Sequence, residues 1–258
     1  MKALITGASS GIGMEMAKIL AAKGYDLILV ARRKERLEEL KKELKVDVQI
    51  IALDLSSTFN CMRLYNKVKK TKIDILINNA GFGLFGEFND TKLERELDMI
   101  DLNIKAVHTL TKLFLKEFSE ENHGYILNVA SSAAYFSGPL MATYYATKAY
   151  VLHLTEAIQV EIKKSKKNIY IGCLCPGPVD TEFNEVAGVN FSIKSLSKEY
   201  VAAYAIKKMF KKKTIIIPGI QIKLVIILSK ILPRKFLTNI NYYNQQRKDR
   251  NDWVLEYW

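Results

Sequence analysis

The sequence has few of the residues that build metal sites and disulfide frameworks. It contains three cysteines and three histidines in 258 residues. Cys173 and Cys175 are two apart, which matches neither a CxxC motif nor a zinc-binding pattern. The histidines are scattered, without an HExxH motif or clustered carboxylates. We therefore expect reduced thiols in or near the core, and we predict no metal site.

The sequence also shows no export signal and no unbroken apolar run of membrane-spanning length. Met1-Lys2 leads directly into the strand-like Ala3-Leu4-Ile5-Thr6, which leaves no room for a charged leader, an apolar stretch and a cleavage site. The most apolar stretch, Ile220 to Leu232, follows the break Pro218-Gly219 and carries charges, which argues against a membrane span. We expect a cytoplasmic protein.

Acidic residues are few relative to basic ones, 27 against 39, which gives a formal net charge of +12. Such a balance is compatible with nucleic acid, an anionic membrane surface or an anionic ligand as partner. The lysines are dispersed, however, and their densest runs, 163–167 and 211–213, fall at the ends of predicted helices, where they complement the helix dipole. Aromatic residues are not interleaved with these runs, so we predict no nucleic-acid partner.

What is present is an alternation of strand-length apolar runs with amphipathic helical patterns. Hydrophobic residues make up 49% of the chain and charged residues 26%, as in a folded single domain of this length. Continuous runs such as Leu27-Ile28-Leu29-Val30 are typical of strands covered on both faces. The strands are predicted at 2–6, 25–31, 47–53, 73–78, 124–130, 168–175 and 213–217. The helices are predicted at 11–23, 34–45, 57–70, 91–121, 143–165 and 197–211.

This alternation predicts a Rossmann-type α/β fold. Right-handed strand–helix–strand crossovers give a doubly wound parallel sheet of about seven strands in a three-layer α/β/α arrangement. Ligands of such folds bind beyond the carboxyl ends of the strands. We predict one dinucleotide-binding catalytic domain over 1–258, with a substrate lid at 182–196 and a C-terminal helical extension at 219–258.

A glycine-rich turn follows the first predicted strand. Thr6-Gly7-Ala8-Ser9-Ser10-Gly11-Ile12-Gly13 has the spacing GxxxGxG and opens the first helix, where glycines allow backbone to approach a pyrophosphate. The second predicted strand ends at Arg32-Arg33, without an acidic residue before Glu35. Two guanidiniums there favour a 2′-phosphate and hence NADP(H) over NAD(H).

Three further strands end in polar or small residues. Asp54 follows the third strand, where its carboxylate either accepts a hydrogen bond from adenine or caps the next helix. Asn78-Asn79-Ala80-Gly81 ends the fourth strand and is small enough to lie against a ribose. Cys175-Pro176-Gly177-Pro178 ends the sixth strand in a rigid turn beside the place of a nicotinamide.

Tyr144 and Lys148 are one helical turn apart and thus share a helix face. An ammonium near a phenol favours the phenolate and lowers the tyrosine pKa by roughly one to three units, which suits a proton donor. Ser131 lies at the end of the fifth strand, where its hydroxyl faces the ligand crevice. Asn103 is an amide inside a long helical pattern, which is mildly unfavourable and suggests that its side chain is needed there. Tyr145 points about a hundred degrees away from Tyr144 around the helix.

Taken together, TGASSGIG, NNAG, a serine thirteen residues before YxxxK, and PG resemble the short-chain dehydrogenase/reductase family, in its short single-domain branch. The resemblance runs from residue 2 to about 217. It implies an NADP(H)-dependent oxidoreductase with the catalytic set Asn103, Ser131, Tyr144 and Lys148, in which the asparagine supports a water that reprotonates the lysine. The cofactor-binding residues that it implies are Gly7, Ser9, Ser10, Gly11, Ile12, Arg32, Arg33, Asp54, Leu55, Asn79, Ala80, Gly81, Tyr144, Lys148, Pro176, Gly177, Val179 and Thr181.

Apolar side chains are concentrated on the segments expected around the crevice, which favours a small hydrophobic carbonyl or alcohol as substrate. They are Phe82, Leu84, Phe85, Phe88, Tyr135, Phe136, Leu140, Met141, Phe183 and Phe191. The apolar stretch after Gly219 either covers the substrate pocket or a partner subunit, or lies on an anionic membrane surface. We predict a homodimer or homotetramer. The alternatives to a soluble reductase are a membrane-surface lipid reductase and a non-catalytic NADPH-sensing protein.

Overall fold

The computed structural model describes residues 1–188 and 195–249. Seven strands form one parallel sheet: β1 (Lys2–Thr6), β2 (Asp26–Ala31), β3 (Val48–Ala52), β4 (Ile75–Asn78), β5 (Gly124–Val129), β6 (Ile169–Leu174) and β9 (Ile215–Ile216). Their order across the sheet is β3-β2-β1-β4-β5-β6-β9. A separate parallel pair joins β7 (Val179–Asp180) to β8 (Leu196–Ser197).

Helices cover both faces of the sheet. They are α1 (Gly11–Ala22), α2 (Lys34–Glu43), α3 (Thr58–Val68), α4 (Leu93–Ile100), α5 (Val107–Glu121), α6 (Ala142–Lys164), α7 (Phe183–Ala187), α8 (Lys198–Phe210), α9 (Ile220–Ser229) and α10 (Arg234–Asp249). A π-helical segment, Asp101–Ala106, joins α4 to α5, and a 3₁₀ turn, Ser132–Tyr135, precedes α6.

Alternate side chains of each strand enter opposite cores. Ile5 and Leu29 pack with Met16 of α1 and Met209 of α8 on one face. Leu4 and Ile28 pack with side chains of α3 and α5 on the other, including Leu64, Phe114 and Phe118. The predicted doubly wound, three-layer α/β/α fold of about seven strands is confirmed.

The structure corrects three details of the sequence prediction. The helix predicted at 91–121 consists of α4, the π-helical segment and α5. The pair β7–β8 was not predicted, because two residues per strand show no alternation. The helix α7 was not predicted, whereas α9 and α10 lie within the helical extension predicted at 219–258. Cys61, Cys173 and Cys175 are buried free thiols, as expected.

Candidate active site

A cavity of about 600 Å³ lies at the carboxyl ends of the strands. Its wall includes the residues that follow each of the strands β1 to β6, which is the place where ligands of doubly wound sheets bind. Every predicted site residue except Asn103 lines this cavity. The structure thus brings together residues that are up to 174 positions apart in the chain, from Gly7 to Thr181.

The glycine turn and the N-terminus of α1 form one end of the cavity. Gly7 has φ of +65°, and a Cβ there would stand 2.8 Å from Ala80 Cα. The Asn79 amide donates to the carbonyls of Thr6 and Gly7, each at 3.1 Å, and holds the turn against β4. Ser10, the N-cap of α1, makes no side-chain capping hydrogen bond, and the first turn carries no acidic residue. The backbone N–H groups of the first turn of α1 therefore lack a capping side chain, and together with the glycine turn they fit a pyrophosphate.

The two arginines after β2 differ in their contacts. Arg33 donates to the hydroxyls of Ser9 and Ser10 at 3.3 and 3.0 Å and to the Glu182 carboxylate at 2.8 Å. Arg36 of α2 pairs with the same carboxylate. Arg32 is more open: its side chain is 67% exposed, and its Nη1 lies 4.0 Å from Asp54 Oδ2. Arg33 is therefore the guanidinium that lies against the glycine turn.

Asp54 lies beside the adenine end predicted for the cavity. Its Oδ1 accepts hydrogen bonds from the backbone N–H and the hydroxyl of Ser56, at 3.0 and 2.9 Å. The N-cap of α3 is Ser57, so Asp54 closes a turn before the helix and does not cap it. Leu55 is buried next to it and also lines the cavity.

Tyr144 and Lys148 lie side by side on the buried face of α6, with 8% and 5% of their surface exposed. The Lys148 ammonium is 5.8 Å from the centre of the Tyr144 ring and donates to the Val129 carbonyl at 3.2 Å. Burial raises the pKa of Tyr144 above its ordinary value, although a hydrogen bond with Ser131 opposes that shift. The expected net lowering of the Tyr144 pKa is therefore not found in this geometry, because loss of solvation exceeds the influences that favour the phenolate.

Burial also lowers the pKa of Lys148, to about 8. Ser131 lies at the N-cap of the 3₁₀ turn, where its Oγ accepts from the Ala133 N–H at 3.1 Å. Its hydroxyl is thereby fixed beside Tyr144 at the cavity wall. A hydroxyl, a phenol and an ammonium converge on one place, which suits proton transfer to a carbonyl oxygen.

Asn103 is fully buried behind this group, within the π-helical segment. Its amide accepts from the Phe82 N–H at 3.1 Å, and donates to the Phe82 carbonyl at 2.9 Å and to the Thr147 hydroxyl at 3.1 Å. A Cβ on Gly81 would stand 2.8 Å from Asn103 Oδ1 and 3.2 Å from Lys148 Nζ. Asn103 thus fixes the NNAG segment against α6, and Gly81 leaves space for both side chains.

The Pro176-Gly177 turn closes the far side of the cavity. The Pro176 carbonyl accepts from the Ser132 N–H at 2.7 Å. A Cβ on Gly177 would stand 2.7 Å from Ile222 of α9, so the turn and the C-terminal extension are in close contact. Val179 and Thr181 continue the wall toward α7.

The predicted apolar lining is present in part. Phe82, Phe136, Met141 and Phe183 line the cavity. Leu84 and Phe85 pack behind it in a cluster with Tyr144, Tyr135 packs in a separate cluster, and Phe88 is exposed. Leu140 is absent from the cavity wall, and Phe191 lies outside the described residues. The lid predicted at 182–196 includes 189–194, which also lie outside them. The residues of its described part that line the cavity are Glu182, Phe183, Asn184 and Val186.

The C-terminal helices complete this wall. Covering of the pocket was one of the alternatives expected for the apolar stretch after Gly219, and Ile222 and Val225 of α9 line the cavity. Sequence reasoning missed the contribution of α10, which adds Leu237, Ile240, Asn241, Asn244 and Gln245. Gln245 is buried and donates to the Tyr145 hydroxyl at 2.8 Å, and Asn241 donates to the Ser137 carbonyl at 3.0 Å. The only signal in the sequence was the row of Asn and Gln side chains in a polar helix. Such a row does not indicate which residue, here 100 positions away, each amide contacts.

Comparisons with known proteins agree with this geometry. A family model described as short chain dehydrogenase matches residues 1–189. An uncharacterized oxidoreductase of Staphylococcus epidermidis is 31% identical over 71% of this chain and 80% of its own length. A very-long-chain 3-oxoacyl-CoA reductase of Pyrenophora tritici-repentis is 34% identical over 71% of this chain and 56% of its own length. The structure of a short-chain dehydrogenase from Sphingobium yanoikuyae in complex with NADPH is 31% identical, with a TM-score of 0.79 over 85% of this chain and 88% of the other.

Proposed function

Because this chain belongs to the short-chain dehydrogenase/reductase family of oxidoreductases, we propose that it transfers hydride between NADP(H) and a hydrophobic ketone, aldehyde or secondary alcohol. The observation that carries the proposal is the convergence of Ser131, Tyr144 and Lys148 in the cavity that also contains the glycine turn. NADPH, when bound, supplies the hydride that reduces the carbonyl carbon.

In this proposal the protein supplies the proton and holds the carbonyl group. Tyr144 gives its phenolic proton to the substrate oxygen, so that C=O gains one hydride and one proton and becomes CH–OH. The Ser131 hydroxyl donates a second hydrogen bond to the same oxygen. The buried Lys148 ammonium stabilises the phenolate that remains on Tyr144. Asn103 positions Lys148 and Tyr144 through its hydrogen bonds with Phe82 and Thr147. We also assign to Asn103 the role that the family resemblance implies, which is to support a water that reprotonates Lys148.

The preference for NADP(H) is supported by the charges at the end of β2. Arg33 and Arg32 line the cavity after β2, where an acidic residue would instead bind the ribose hydroxyls. Arg33 already contacts Ser9 and Ser10 of the glycine turn. The Sphingobium relative was solved with NADPH. Arg33→Ala is expected to raise the KM for NADPH by at least tenfold and to leave the KM for NADH nearly unchanged, and an equal change for both cofactors would contradict the assignment.

A hydrophobic substrate is supported by the apolar side chains at the other end of the cavity. Phe82, Phe136, Met141 and Phe183 face residues of α9 and α10 there. One similar relative is a very-long-chain 3-oxoacyl-CoA reductase, which favours a carbonyl on a long apolar chain. Screening aldehydes and ketones of graded chain length for NADPH oxidation tests this, and the rate should rise with apolar length.

The central experiment replaces Tyr144 with Phe. Removing the hydroxyl should lower kcat by orders of magnitude while NADPH binding, followed by its fluorescence, is retained. Tyr145→Phe is the matched control, because it removes a neighbouring hydroxyl of the same cavity and should keep turnover within about tenfold of the wild type.

The same pair of variants tests the alternative of an NADPH-sensing protein without turnover. That function would need the glycine turn and Arg33 but not a proton donor. Unchanged cell-level function with Tyr144→Phe, together with no carbonyl turnover in the wild type, would favour the sensor. The buried convergence of Ser131, Tyr144 and Lys148 favours the enzyme, because burial of a lysine lowers stability and buried titratable groups in a cavity are typical of catalytic sites.

A further inference from the structure

The helix α9 has two apolar faces. Its inner face contributes Ile222 and Val225 to the cavity wall and buries Ile226. On the outer side Ile220, Leu224, Ile227 and Leu228 recur at the spacing i, i+4, i+7 and i+8, which places them on one stripe of the helix, and Ile231 follows in the turn after α9. We call these five residues the α9 outer face.

The α9 outer face is open to solvent. Ile220 is 75% exposed, Leu228 58% and Ile231 79%. Within the described part of the chain, half of the exposed large apolar side chains lie between residues 220 and 243. Isolated exposed apolar residues are normal on a protein surface, but a contiguous apolar stripe marks an interaction site.

Charge indicates the chemistry of the partner. The sequence contains no Asp or Glu between Glu199 and Asp249. The basic residues in that stretch are Lys207, Lys208, Lys211, Lys212, Lys213, Lys223, Lys230, Arg234, Lys235, Arg247 and Lys248. Lys223 and Lys230 are exposed and lie along one edge of the α9 outer face, three and ten residues after Ile220.

We propose that the α9 outer face docks on an anionic membrane surface, with its apolar side chains in the headgroup region and Lys223 and Lys230 against lipid phosphates. Lysine suits this position because its aliphatic stem lies along apolar surface while its ammonium reaches the headgroups. A helix with an apolar stripe and basic flanks lies in the plane of the interface. None of the described helices is long and apolar enough to cross a membrane.

A second copy of this chain fits the α9 outer face less well. A symmetric dimer brings the same patch of both copies together, so Lys223 and Lys230 of both copies would share one interface and repel each other. The sequence offers no carboxylate between residues 200 and 248 to pair with them. An anionic lipid surface supplies the negative charge and the apolar layer together.

The experiment measures co-sedimentation with vesicles of equal parts phosphatidylcholine and phosphatidylserine, and with phosphatidylcholine vesicles alone. Each basic residue near an anionic leaflet contributes about fivefold to partitioning. Lys223→Glu/Lys230→Glu should therefore lower binding to the anionic vesicles by more than about tenfold. Lys163→Glu/Lys164→Glu, which changes the net charge equally at the end of α6, should leave binding within about twofold.

A second pair of variants tests the apolar part. Leu228→Asn/Ile231→Asn should reduce binding at high salt as well as at low salt, whereas Phe59→Asn/Leu93→Asn, which alters exposed apolar residues elsewhere, should not. Equal binding to neutral and anionic vesicles, or an equal loss in both lysine variants, would overturn the proposal. So would a change of oligomeric state in Leu228→Asn/Ile231→Asn, measured by analytical ultracentrifugation, because it would assign this face to a second copy.

Turnover of a water-soluble ketone with NADPH is measured for every variant, and it separates this proposal from the proposed function. The substituted side chains are outside the cavity wall, so turnover of the soluble substrate should be unchanged. Loss of vesicle binding with intact turnover supports docking through the α9 outer face. Vesicle binding by a wild type that reduces no carbonyl compound would contradict the proposed function and leave docking supported.

Discussion

At the scale of single residues, we expect the buried ammonium of Lys148 to determine how the site responds to pH. Burial, the largest influence on this group, lowers the pKa of Lys148 to about 8. The pKa of Tyr144 is raised by burial, so its phenol remains protonated throughout the range in which Lys148 titrates. The two side chains thus lose their protons in the opposite order from free lysine and tyrosine in water.

This order predicts an alkaline decline in carbonyl reduction. As the pH rises through about 8, Lys148 loses the charge that stabilises the phenolate of Tyr144. The profile of kcat/KM, which reports groups of the free enzyme, should be flat below that value and fall by about tenfold per pH unit above it. A decline that begins near pH 10 would instead assign the limb to an exposed lysine or an ordinary phenol.

Gly81 is a second residue with a testable effect on the site. A methyl group there would meet Asn103 Oδ1 at 2.8 Å and Lys148 Nζ at 3.2 Å, and both side chains are buried. Gly81→Ala should therefore displace the catalytic group and lower kcat by roughly 10- to 100-fold. The measurement is steady-state turnover together with thermal unfolding.

Gly24→Ala is the matched control for Gly81→Ala. Gly24 has φ of +80° and no atom within 4 Å of the added Cβ, so the substitution strains the backbone without touching the site. It should cost about 1–2 kcal/mol of stability and leave kcat unchanged. A parallel loss of kcat in both variants would show that Gly81 acts through stability alone.

At the scale of elements, how far the sequence predicts the site depends on how local each feature is. The glycine turn, the NNAG segment and the α6 pair each lie within a few residues, and the parallel sheet gathers them at one edge, so their meeting follows from the fold. The π-helical segment around Asn103 keeps the apolar pattern of the long helix predicted at 91–121. The π-helical segment could not be predicted from the sequence, because a change from i+4 to i+5 hydrogen bonds has little effect on composition or on the apolar pattern.

The segment that begins at Glu182 shows the limit of such reasoning most clearly. Glu182 pairs with Arg33 and Arg36, which are 149 and 146 residues away. Burial favours the neutral carboxyl, but hydrogen bonds from Arg36 and then Arg33 hold the pKa of Glu182 below its ordinary value. The Glu182 carboxylate therefore binds the Arg33 guanidinium, which is the group that we propose for the 2′-phosphate.

Glu182→Gln should strengthen NADPH binding, because it removes the carboxylate that competes for Arg33. The expected decrease in the Kd for NADPH is about two- to fivefold, the range of a solvent-accessible ion pair. The Kd for NADH should not change. Glu185→Gln, an exposed residue of α7 with the same change in charge, is the control. Weaker NADPH binding in Glu182→Gln would show that the carboxylate supports the cofactor site.

At the scale of the whole molecule, the cavity is built from two parts of the chain, which differ in how far the sequence predicts them. Residues up to Thr181 form the end that we propose for the nucleotide and the group that we propose as proton donor, and their motifs can be recognised in the sequence. The C-terminal helices α9 and α10 close the other end through Ile222, Leu237 and Gln245. These contacts depend on how the helices pack, which no local pattern records.

Because the cavity joins elements from most of the chain, its occupation should stabilise the fold as a unit. A ligand that binds only the folded state at a concentration of about 100 times its Kd raises the free energy of unfolding by about 2.7 kcal/mol. For a chain of this size that gives an increase in Tm of roughly 5–10 °C for NADPH. NADH at the same concentration should give a clearly smaller increase, and Arg33→Ala should abolish the difference between the cofactors.

Differential scanning fluorimetry measures both shifts without a substrate, so the result bears on the cofactor site alone. An equal shift for NADH and NADPH in the wild type would contradict the assignment of Arg33 to the 2′-phosphate, while leaving the proton-donating group of Ser131, Tyr144 and Lys148 to be judged by turnover.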